Sequence, residues 1–164
     1  MSATGLEVFD KTLHTTNTWL KEIMEALGSD RHVAWHVLGS VLRALRDRIP
    51  LELTAHLGAE LPLLVRGLLY DRWHPATAPE RYRSLDDFLQ RISDDMSSTR
   101  PIDPENAART VFTVLTRHLP EGQVEKVRHA LPEDIRAVWP VKASLESRTR
   151  VEVEIDEARL SREA

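Results

Sequence analysis

The chain has 164 residues, is 41% apolar and 29% charged, and carries a formal net charge of −4. That is one compact domain or two small ones, and the negative balance makes general nucleic-acid binding unlikely. With no cysteine there is no disulfide, thiolate metal site or cysteine nucleophile.

Taken in chain order, the pattern predicts helix after helix. Leu6, Phe9, Leu13, Thr16, Leu20, Ile23 and Leu27 recur three and four apart, one face of a long amphipathic helix that Gly28 closes. Asp30 then caps a helix striped by Val33, Val37, Val41 and Leu45, which stops at Pro50. Pro50 and Pro62 each open a further helix, striped by Leu53 and Leu57, then by Leu64, Val65, Leu68 and Leu69. Residues 74–83 read as a polar linker. Ser84 with Asp87 imitates a capping box ahead of Leu85, Phe88, Leu89 and Ile92, and Asp103-Pro104-Glu105 opens a helix striped by Ala108, Val111, Phe112 and Leu115. Two more helices start at Pro120 and Pro132.

The second half repeats the first. Residues 36–69 slide onto 106–139 without a gap, so that Val41, Leu45, Pro50, Leu61, Pro62 and Arg66 meet Val111, Leu115, Pro120, Leu131, Pro132 and Arg136. With one residue of slack, Trp19, Leu20, Ile23 and Leu27 meet Phe88, Leu89, Ile92 and Met96. The expected fold is all-α: two tandem, pseudo-symmetric four-helix units, residues 1–73 and 84–140, packed together. Residues 141–164 form a charged tail. It is either solvated and flexible or strand-forming, because Val151-Glu152-Val153-Glu154-Ile155 alternates with period two.

The string Leu45-Arg46-Asp47-Arg48-Ile49-Pro50, with Ala55-His56-Leu57 and Leu61-Pro62-Leu63-Leu64-Val65-Arg66-Gly67, resembles a bacterial family known as domain of unknown function 2267. Val127-Arg128-His129-Ala130-Leu131-Pro132 through Arg136-Ala137-Val138-Trp139-Pro140 is similar to that family's C-terminal end. The resemblance covers about residues 6–140 and implies an all-helical bacterial protein. It implies no activity and transfers no functional residue.

The repeat acts as an internal control. Trp35, Leu51, Leu53, Leu63 and Leu64 correspond to Glu105, Glu121, Gln123, Glu133 and Asp134, so the first half carries an apolar excess that something must cover. The cover is the extra N-terminal turns with Leu6, Val8, Phe9 and Leu13, the neighbouring half, or a second chain, with Trp35 as anchor. Arg66 and Arg136 have two readings: structural caps on preceding carbonyls, or paired contacts for an anion or other ligand in a cleft between the halves.

His32 and His36 lack the glutamate of a zincin motif and predict no metal site. Asp86-Asp87 belong to a helix's first turn and Asp94-Asp95 to a polar face, so none is expected to be catalytic. There is no phosphate loop, nucleophile elbow or dinucleotide fingerprint, and no cofactor is expected. The first residues have no export signal and the longest apolar stretch is too short to span a membrane, which predicts a cytoplasmic protein. The expected function is a non-enzymatic interaction or scaffold module that binds a protein partner or itself; the alternative is a small-ligand or enzyme site in the cleft between the halves, using Arg66 and Arg136.

Overall fold

A computed structural model describes residues 2–77 and 79–163. The described residues form helices α1 (Glu7–Leu27), α2 (Arg31–Arg48), α3 (Leu51–Glu60), α4 (Leu63–Tyr70), α5 (Leu85–Asp95), α6 (Pro104–His118), α7 (Glu121–Ala130), α8 (Glu133–Arg136) and α9 (Lys142–Glu163), with a 3-10 turn at Pro75–Thr77. There is no strand among them, and the fold is all-α. No helix among the described residues is long and apolar enough to cross a membrane.

The helix ends follow from the punctuation in the sequence. Gly28 adopts φ 62°, the left-handed conformation that costs glycine little, and its N–H donates to the Met24 carbonyl. Asp30 accepts the Val33 N–H at 2.8 Å, Ser84 that of Asp87 at 3.1 Å, and Asp103 that of Asn106 at 2.9 Å. Pro50, Pro62, Pro120 and Pro132 occupy the N-cap, so each helix begins one residue later than the proline. Because proline has no side-chain acceptor, the first turn of α4 borrows one: the Leu64 N–H donates to the Thr12 hydroxyl of α1 at 3.4 Å.

Helix α2 is buried on nearly every side, and so it lies at the centre. It packs against α1, α4, α5 and α6; α6 in turn packs against α1, α5, α7 and α9. One contiguous core runs from Trp19 to Trp139 and draws on both halves. Its aromatic spine is Phe88, Phe112 and Trp139, with Phe112 and Trp139 stacked at 4.1 Å and the Trp139 indole N–H donating to the Thr116 hydroxyl at 2.8 Å. Helices α3 and α7 have bounds offset by seventy positions and pack on each other. The first helix of each half also packs on the second helix of the other, α1 on α6 and α5 on α2.

Two segments lie outside the repeated helices, the linker and the tail. The segment 74–83 is seated on α2 and α5: the Glu80 N–H donates to the Asp47 carbonyl at 2.7 Å, and Tyr82 lies under the guanidinium groups of Arg48 and Arg91. Residue 78 lies outside the described residues. The tail is a helix, not a strand. With no sheet edge to pair with, its backbone satisfies itself, helped by hydroxyl bonds from Thr149 to the Leu145 carbonyl and from Ser161 to that of Glu157. The period-two alternation scatters Val151, Val153 and Ile155 around α9, and all three are exposed, whereas Leu145 is buried.

Candidate functional site

The apolar excess of the first half can be followed residue by residue. Trp35 and Leu53 are half-buried and packed against the core. Leu51 and Leu63 are each 50% exposed and Leu64 is 39% exposed. Their equivalents have matching exposure. Glu105 and Gln123 are half-buried, and Glu121, Glu133 and Asp134 are exposed. The fold thus treats the two sets of positions alike. Three leucines stand where the other half presents carboxylates to water.

The N-terminal turns do not cover them. The Leu64–Thr12 bond sets the first turn of α4 beside α1, but Phe9 and Leu13, on the same flank of α1 as Thr12, are themselves exposed, as are Leu6 and Val8. The two helices together offer an apolar surface rather than burying one. Helix α4 has no acidic residue in its first turn, and the basic residue there, Arg66, is bonded back to carbonyls of the preceding segment. Trp35 contributes through its core packing and, with His36 and Leu68, lines a separate recess.

Arg66 and Arg136 close the ends of the helices before them. Arg66 donates from Nε to the Gly58 carbonyl at 2.7 Å and from Nη2 to those of Ala59 and Leu61 at 3.3 and 3.1 Å. Arg136 donates from Nη2 to the carbonyls of His129 and Leu131 at 3.1 and 2.9 Å. Carbonyls at the ends of α3 and α7 are thus capped in the same way, Gly58 also accepting the Leu61 N–H.

A polar groove between α2 and α5 was not foreseen. It has a volume of about 430 Å³ and is lined by Ser40, Arg43, Arg46, Asp47, Arg72, Arg91, Asp94 and Asp95. Arg43 donates to Asp95 from Nε at 3.2 Å and from Nη2 at 2.5 Å. Burial pushes the Asp95 carboxyl up, but the hydrogen bonds and charges around it, led by Arg43 and with Ser40 and Arg72 contributing, hold it below the usual carboxylate range. Arg46 is spent on Asp47 and on the carbonyls of Leu69 and Asp71.

The sequence placed Asp94-Asp95 on a polar face; Asp94 is exposed there, whereas Asp95 is half-buried in this ion pair. Gly39 is the signal that was available. A Cβ at Gly39 would stand 2.7 Å from Arg43 Nη1, so the mid-helix glycine makes room for the guanidinium.

His32 and His36 meet edge to face at 4.7 Å, and among the described residues no group of three or more His, Asp or Glu side chains is placed to hold a metal ion. The model for a family described as an uncharacterized conserved protein, DUF2267, matches residues 16–138. No curated protein matches the chain.

Proposed function

We propose that this chain, which belongs to the DUF2267 family, is a non-enzymatic interaction module that associates with a second copy of itself through the exposed surface of α1 and α4. The observation that carries the reading is the matched exposure. Leu51, Leu63 and Leu64 stand at water-facing positions where the equivalent residues are Glu121, Glu133 and Asp134. A second copy suits this surface because a two-fold contact sets a patch against itself. The exposed leucines Leu63 and Leu64 tolerate that; the carboxylates Glu133 and Asp134 of α8 would repel themselves. Phe9 and Leu13 extend the contact along α1.

Sedimentation velocity over a concentration series tests the proposal. The wild-type chain is expected to shift from monomer to dimer with rising concentration, and Leu64→Glu to stay monomeric with an unchanged far-UV spectrum. A wild-type chain that stays monomeric throughout overturns it. Unfolding of Leu64→Glu would instead assign Leu64 to the core.

A further inference from the structure

We propose that the groove between α2 and α5 is a binding site for a small oxyanion, the phosphate or carboxylate group of a small molecule. Helices α1 and α6 enclose a smaller recess, about 180 Å³, lined by Glu22, Ala26, Arg109, Thr110, Thr113, Val114 and Arg117. The offset of the repeat, seventy positions on α2 and one fewer on α1, brings Ser40 onto Thr110, Arg43 onto Thr113 and Asp95 onto Ala26. The fold therefore builds the same helix contact with Thr113 and Ala26 at those positions, while its own ion pair, Arg117 to Glu22 at 3.8 Å, lies elsewhere in the recess. A pair placed as Arg43 and Asp95 are is not required by the helix packing.

The groove is nonetheless shaped around them. Gly39 is a poor helix residue, less favourable than alanine by about 1 kcal/mol, and it stands where the counterpart has Arg109. Its missing Cβ is the space in which Arg43 lies. At the mouth, Arg72 adopts φ 53°, a left-handed conformation uncommon outside glycine, and its Nη2 lies 3.5 Å from Asp95. Strain of this kind persists where the surroundings fix it and clusters at ligand sites.

The spare hydrogen-bonding capacity sets the class of ligand. Both oxygens of Asp47 accept from Arg46, and Asp95 accepts from Arg43 and Arg72. Arg91 is paired with Glu80, and Asp94 accepts from Gln90. Among the described residues, Nη1 of Arg43 and Nη1 of Arg72 make no hydrogen bond. Apart from Oδ2 of the exposed Asp94, the free groups named at the groove are thus guanidinium N–H donors, and they call for an acceptor with several oxygens.

Arginine side-chain Nε–H resonances of the full chain, followed in chloride buffer of constant ionic strength, provide the test. Inorganic phosphate, glycerol phosphate and succinate are titrated separately. Saturable shifts at Arg43 and Arg72, with Arg109 unmoved, are expected from at least one of them. Equal affinity for inorganic phosphate and glycerol phosphate assigns the phosphate group; a preference for succinate assigns a carboxylate. Arg72→Gln is expected to weaken binding at least about fivefold, as loss of a charge-assisted bond does. Arg43→Thr with Asp95→Ala, the residues of the counterpart groove, is expected to abolish binding while the chain stays folded. The proposal is overturned if no titrant saturates, if Arg72→Gln binds as tightly as wild type, or if the double variant unfolds.

Discussion

At the scale of single residues, Arg66 shows how one side chain settles a local problem created by the sequence. Leu61 caps α3 just before Pro62, its N–H reaching only the Gly58 carbonyl, and one guanidinium serves that carbonyl and those of Ala59 and Leu61. Arg66→Ala is expected to cost about 1–3 kcal/mol in urea unfolding, since bonds from a charged donor contribute more than neutral ones. Arg136→Ala, which loses two such bonds, should cost less. Asp95 gives a prediction in pH. Its carboxyl is held below its ordinary value, so its contribution is present above the unfolded pKa, about 3.9, and is lost as pH falls through the lower folded value. Asp95→Asn should therefore flatten the acid limb of the stability profile below about pH 4, as read by thermal unfolding at stepped pH; an unchanged limb would show that the ion pair adds nothing.

Between elements, the contrast lies between α8 and α9. Helix α8 has only four residues, but the turn that follows it delivers Val138 and Trp139 into the core, where Trp139 stacks on Phe112. Helix α9 is far longer, and among its described side chains Leu145 alone is buried. A chain ending at Val141 is expected to keep most of its stability, losing about 1–3 kcal/mol, the burial of one leucine, with mean-residue ellipticity falling as the exposed helix is removed. Collapse of the cooperative transition would show that α9 is part of the core. The helices up to α7 were legible because each carries its own period, cap and stop: Gly28, Asp30, Ser84 and Asp103 all act as their positions suggest. Helix α9 was not legible. Its branched residues alternate as in a strand, and only the lack of a pairing edge decides for a helix.

For the molecule as a whole, the seventy-residue offset relates not only sequences but environments. Five pairs of positions share their exposure while differing in polarity, and two grooves enclosed by corresponding helices differ in the side chains that line them. The leucine surface could be read from the sequence because the offset exposes it directly. The α2–α5 groove could not, because Arg43 and Asp95 are fifty-two residues apart and meet only when a helix of one half packs on a helix of the other. Surface leucines exchanged for carboxylates should leave the monomer intact and remove whatever covers them. The most direct measurement is the thermal unfolding midpoint, over a hundredfold concentration range, of wild type and of Leu51→Glu, Leu63→Glu, Leu64→Asp combined. Binding between copies stabilises by mass action, so the wild-type midpoint should rise with concentration while that of the variant stays flat, the two converging at high dilution. A flat wild-type midpoint, or a variant already destabilised at the lowest concentration, would contradict the account.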